Sequence, residues 1–201
     1  MVGMVEALES RRLMSADVVF PPESSLPVTM SALGEDDMPQ VTMFLMAEMM
    51  PPDKAAWQLA ASLRPILDRA EKLGVDVGIE CEPGLYLEYV SELHEWIHRL
   101  GHPRFGANLD IGHSVVIGES IAEAVETLRG RIWNLHVEDL PGRKHYHMIP
   151  GEGTFDWGVL KDVLGEVGYD RFATVELYTH TERPQEAAEK SYRFLSSLFE
   201  C

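Results

Sequence analysis

The chain has 201 residues, 45% of them hydrophobic, and a formal net charge of −16 at neutral pH. That length supports one domain with a sizeable core, while the charge repels polyanions and lacks the basic footprint that nucleic-acid binding requires. No run approaches the roughly 20 apolar residues of a membrane span, and no cationic segment followed by an apolar stretch marks a signal peptide. Cys81 and Cys201 stand far apart and form no motif, which fits a reducing compartment, so a cytoplasmic protein is expected.

Residues 1–40 differ in character from the rest. Val18 to Gln40 is crowded with proline, serine and acid, and no apolar period persists through it, so an irregular or disordered segment is expected. Leu8–Ala16 reads as a short charged helix, and is similar over nine residues to a sorting-type motif near the start of some bacterial surface proteins.

From Val41 onward strands and helices alternate. Val41–Met46 is an apolar run that reads as a buried strand, and Pro51-Pro52-Asp53 opens a helix carrying Trp57, Leu59, Leu63, Ile66, Leu67 and Ala70. Pro65 should kink or divide that helix, and Gly74 should stop it. Next come a strand Val75–Glu80, a helix Leu87–Leu100 ending at Gly101, a strand Phe105–Asp110, a helix Ile121–Leu128 and a strand Ile132–Val137. A long loop rich in glycine and histidine follows, then a helix Trp157–Val167 with Asp156 as N-cap, a strand Phe172–Leu177 and a final helix from Pro184 to Phe199. Alternation of this kind predicts an α/β fold, a parallel sheet of about five strands with the helices outside.

Four of the strands deliver a metal-type ligand where they stop: Glu80, Asp110, His136 and Glu176. Strand ends in a parallel βα barrel converge on one mouth, so these side chains should meet there. Three carboxylates and an imidazole form a hard-to-borderline donor set suited to Mn²⁺, Co²⁺, Zn²⁺ or Mg²⁺.

Five segments together carry a family resemblance. Val77-Gly78-Ile79-Glu80-Cys81-Glu82-Pro83-Gly84, Asn108-Leu109-Asp110-Ile111-Gly112-His113, Asn134-Leu135-His136-Val137-Glu138-Asp139, His145-Tyr146-His147 with Gly151-Glu152-Gly153, and Val175-Glu176-Leu177 resemble the sugar phosphate isomerase/epimerase family. That family shares a xylose isomerase-like TIM barrel with endonuclease IV, the AP endonuclease family 2. The resemblance implies that 41–201 forms the C-terminal part of a (β/α)8 barrel, short of its first three or so βα units. It also implies a single divalent metal on Glu80, Asp110, His136 and Glu176. In the family's sugar 3-epimerases the glutamates matching Glu80 and Glu176 are the acid/base pair on opposite faces of an enediolate, and that role is carried onto them here.

Other residues are weighed around that set. The resemblance gives His113, three residues after Asp110, a contact to substrate oxygens in the epimerases or to a further zinc in the endonuclease. His145 and His147 flank Tyr146, so an extended segment would point both imidazoles one way, toward a second metal or an anionic group. The endonuclease has Asp-x-His there, and the exchange to His-x-His speaks against its trinuclear zinc site. Arg143, next to Lys144, is a candidate for a sugar phosphate. Glu82 shares the face of Glu80. His94, His98 and His102, at four-residue spacing, read as surface histidines of an outer helix.

The expected function is therefore divalent-metal-dependent isomerisation or epimerisation of a small sugar, polyol or sugar phosphate. The alternatives are an endonuclease IV-like phosphodiesterase, and an inactive half-barrel that binds metal or a partner chain. Half of a parallel barrel leaves two strand edges open, so a homo-oligomer or a complex with a chain completing the barrel is expected.

Overall fold

The computed structural model describes residues 51–199. The expected strand Val41–Met46, the irregular segment 1–40 and the Leu8–Ala16 stretch lie outside them.

Helix α1 (Pro52–Leu73) starts with proline in its first turn, where no intrahelical N–H bond is lost, and stops at Gly74. Its inward stripe of Ala55, Leu59, Leu63, Leu67 and Ala70 recurs every three or four residues and is buried throughout. Pro65 does not divide it. The proline lies on the exposed side, so the missing hydrogen bond falls in solvent while the buried stripe runs on unbroken.

The chain then follows the order β1 (Val77–Ile79), α2 (Val90–Leu100), β2 (Phe105–Asp110), α3 (Ile111–Ile117), α4 (Ile121–Thr127), β3 (Ile132–Val137), α5 (Trp157–Val167), β4 (Phe172–Val175) and α6 (Pro184–Phe199). Two strands are shorter than expected: β1 starts at Val77 instead of Val75, and Glu80 and Glu176 sit just past the last paired residues of β1 and β4. Helix α2 begins three residues later than expected, where the Glu92 carboxylate accepts the backbone N–H groups of Glu88 and Tyr89. One helix was not expected. Asp110 ends β2 and at once caps α3, its Oδ1 accepting the His113 N–H at 2.8 Å.

Among the described residues the sheet has four parallel strands in the order β1-β2-β3-β4, and the other expected strand, Val41–Met46, lies outside them. Their register pairs Gly78 with Gly106, Asp110 with His136, and His136 with Thr174, so the carboxyl ends of the strands gather at one rim. The outward side chains Phe105, Ala107 and Leu109 of β2 and Ile132, Leu135 and Val137 of β3 are buried under the helices. Strand β4, at the edge of this sheet, leaves Phe172, Ala173 and Thr174 exposed.

The amino ends of the strands are tied by charge. Asp76, before β1, accepts from Arg104 at 3.1 Å and from Arg171 at 2.8 Å, and Arg171 lies over the Trp133 ring at 4.2 Å. Burial raises the Asp76 pKa, but the hydrogen bonds and charges of the two arginines more than offset it and hold the carboxyl below its ordinary value. A depressed carboxylate pKa stabilises the fold above the unfolded value near pH 4, and that contribution disappears as pH falls through the folded value. Asp76→Asn should therefore cost about 1–2 kcal/mol at neutral pH and lose stability less steeply below about pH 4 than the parent, as read by urea melts across pH.

Candidate metal centre

Glu80, Asp110, His136 and Glu176 come together at the rim, one ligand atom of each lying within 4.8 Å of all the others. His136 Nδ1 stands 3.1 Å from Glu80 Oε2 and 3.0 Å from Glu176 Oε2. Asp110 and His136 are buried, while the two glutamates are half-exposed toward the mouth. Asp110 Oδ2 has no hydrogen-bond partner among the described residues although it is buried. An unpaired carboxylate oxygen in such a place is costly unless a cation answers it.

The electrostatics are those of a site seeking positive charge. Burial alone would lower the His136 pKa, but its hydrogen bonds to Glu176 and Glu80 and their charges push it up to about 10. Glu176 is held below the usual carboxylate range, chiefly by His136. Orphaned buried oxygen, clustered carboxylates and an imidazole within bonding reach together fit a divalent cation.

A second group adjoins the first. His113, His145 and His147 bring ring nitrogens within 4.8 Å of one another, and His113 also joins Glu80 and Glu82 in a third such group. His113 Nδ1 lies 2.9 Å from the Cys81 carbonyl and His147 Nδ1 lies 2.9 Å from the Glu176 carbonyl. Each carbonyl accepts only, so both rings carry a proton on Nδ1 and turn Nε2 the other way, that of His113 lying 3.4 Å from Glu82 Oε2. His147 Nε2 faces His145 Nε2 at 3.3 Å, and Tyr178 leans on the His147 ring at a centroid distance of 4.3 Å. Burial lowers the His113 pKa, but Asp110, Glu82 and Glu80 outweigh it and the net shift is upward. Burial raises that of Glu82, and burial together with the neighbouring imidazoles lowers that of His145.

The other candidates stand elsewhere. Arg143 donates to the carbonyls of Val115 at 3.2 Å and Val116 at 3.1 Å, engaging the carboxyl end of α3 instead of turning to the ligand group. Lys144 lies over the Tyr146 ring at 5.6 Å. His94 and His98 meet at 2.9 Å on the exposed side of α2, and His102 pairs with Glu71, all outside the groups of clustered ligands.

Two acidic residues stand out that sequence reasoning did not single out. Glu138 is fully buried against Asp110, and a Cβ on Gly112 would collide with its Oε1, so a larger residue there would have to displace the carboxyl. Burial, with the Asp110 charge beside it, pushes Glu138 up to about 11. Alternation from His136 points to this position, but the strand ends at Val137 and masks it.

Asp139 is the anchor of the histidine loop. Its Oδ1 accepts the N–H groups of Leu140 and Phe155 at 2.9 Å, and its Oδ2 accepts from Gly151 at 2.8 Å and from the Trp157 indole at 2.9 Å. Gly153 passes so close that a Cβ there would stand 2.2 Å from Asp139 Oδ1, which is the reason for glycine in that loop. Asp139→Ala leaves four donors unpaired and should cost about 3–5 kcal/mol, lowering the melting temperature by roughly 10 °C in a calorimetric scan.

This fold has known counterparts. A family model described as the xylose isomerase-like TIM barrel matches residues 29–198, and the chain belongs to that family. It is similar to the fructoselysine 3-epimerase of Shigella flexneri, 29% identical over 132 residues that cover 64% of this chain and 48% of the relative. In structure it resembles the 3-keto-D-glucoside 4-epimerase of E. coli, with a TM-score of 0.64 at 20% identity over 79% of this chain and 60% of the other. It also resembles the IOLI protein with a bound zinc atom, with a TM-score of 0.66 at 19% identity over 79% and 61% of the two chains. The chain spans about half the length of the curated relative it matches. No described helix is long and apolar enough to cross a membrane.

Proposed function

We propose that this chain carries the metal-binding and proton-transfer residues of a sugar or sugar phosphate isomerase/epimerase. The observation that carries this reading is the meeting of Glu80, Asp110, His136 and Glu176 within 4.8 Å. Membership of a family whose similar proteins include sugar epimerases supports it, and the zinc-bound neighbour supports a divalent metal of unresolved identity.

The four residues would hold the ion, which when bound polarises a carbonyl and acidifies the adjacent C–H. The protein groups do the rest. Glu80 and Glu176 approach His136 Nδ1 with one oxygen each and keep the other for a proton. One carboxylate takes the carbon-bound proton, the substrate passes through an enediolate, and the other carboxylate, in its acid form, returns a proton to carbon. Buried Asp110 and His136 carry no such exposed oxygen and serve to fix the geometry. The test is incorporation of solvent deuterium at carbon in a panel of ketoses and their phosphates with metal-loaded protein. Exchange supports the reading; no exchange on any of them, with metal bound, favours a half-barrel that binds metal without turnover. An endonuclease-like reading draws no support from the charge of −16 or from His145-x-His147.

A specific observation favours a second ion beside the first. The Nδ1 atoms of His113 and His147 are both engaged by backbone carbonyls, His145 joins them, and the three form an imidazole set suited to Zn²⁺. Zinc titration by calorimetry should give a stoichiometry near two, falling to one in His147→Ala; one in both removes the second ion.

A further inference from the structure

A polar chain crosses the inner side of the sheet one layer below the ligand group. The Thr174 hydroxyl donates to Asn134 Oδ1 at 3.0 Å, the Asn134 amide donates to Asn108 Oδ1 at 2.8 Å, and the Asn108 amide donates to Glu80 Oε2 at 2.6 Å. The Asn108 amide nitrogen also lies 3.1 Å from His136 Nδ1. Each member stands two residues before a member of the ligand group on the same strand face: Asn108 before Asp110, Asn134 before His136, Thr174 before Glu176.

The direction of this chain is forced. A carboxylate accepts only, so Asn108 must turn its amide nitrogen to Glu80 and its carbonyl to Asn134. Asn134 then presents its own carbonyl to β4, where a hydroxyl is the donor that answers it. Every donor points toward Glu80, and hydrogen bonds aligned in series polarise one another. Glu80 needs such a hold. It lies just beyond the last residue of the three-residue strand β1, and its other oxygen is 3.5 Å from His113.

We infer that Asn108, Asn134 and Thr174 are positioning residues that aim the Glu80 carboxylate into the metal and proton-transfer site from the far edge of the sheet. This rests on the reading of Glu80 as ligand and base. Thr174 gives the sharpest handle, because it is exposed and its replacement disturbs no packed core.

The test is manganese titration by calorimetry, with melting of the metal-free proteins recorded alongside. Asn108→Ala should weaken manganese binding at least about 10-fold, the scale of losses when a group orienting a ligand is removed. Thr174→Val, equal in shape but without the hydroxyl, should weaken it about fivefold with an unchanged metal-free melting temperature, and Thr174→Ser should bind like the parent. Equal affinity in the parent and in Thr174→Val overturns the inference, as does a Ser variant as weak as the Val variant, which would place the effect in the methyl group. Manganese binding by the parent that survives Asp110→Ala would instead sink the metal site itself, so the two failures are told apart.

Discussion

Asp110→Ala should lower divalent-metal affinity by at least about 10-fold, since even losses one step removed from a metal cost ~10–100-fold. Asp110 is fully buried, and its Oδ2 has no hydrogen-bond partner among the described residues. The change also removes the cap on α3, worth about 1 kcal/mol of stability, because Oδ1 accepts the His113 N–H. Asp110→Asn separates the two effects: it keeps a capping oxygen and the shape while losing the charge. The Asn variant should melt close to the parent without metal and still bind metal poorly. Unchanged calorimetric binding in Asp110→Ala and in His136→Ala would remove the site.

Glu80→Gln and Glu176→Gln should each slow solvent-deuterium exchange by ~100- to 10,000-fold, the usual range for loss of a general acid or base. Glutamine preserves size and one carbonyl oxygen but cannot take a proton at the substrate carbon. The two variants need not behave alike. Glu80 is held by Asn108, and a glutamine there can turn its carbonyl to that amide and stay in place, whereas Glu176 has His136 as its hydrogen-bonding side-chain neighbour. Metal affinity should therefore fall less in Glu80→Gln than in Glu176→Gln, while exchange is lost in both. If the parent exchanges and both variants keep pace with it, the acid/base assignment is wrong.

The cluster at the rim could be read in advance for a simple reason. An apolar run that ends on a carboxylate or imidazole announces both a buried strand and where it stops, and parallel strands stop on one side. Helix α3 escaped because its seven residues are too few to show a period, and because Asp110, read only as a ligand, is also the cap that starts it. The role of Asp139 escaped because the four donors it accepts lie up to eighteen residues away, on a loop whose return path no local pattern records.

The sequence by itself determined the alternation of strands and helices, the run of α1 with its buried stripe, the Asp156 cap of α5, and the four ligand-type residues at strand ends. These follow from local period and capping chemistry, which act over a turn or two of chain. Tertiary structure alone decided which polar groups meet. The Thr174-Asn134-Asn108-Glu80 chain joins β4 to the end of β1, the Glu138 carboxyl lies against Asp110, and Arg143 is drawn to α3. Such pairings depend on strand order and register. Hydrogen bonds and carboxyl contacts form over about 3 Å, and neighbours at that range across a sheet are set by pairing, not by position in the chain.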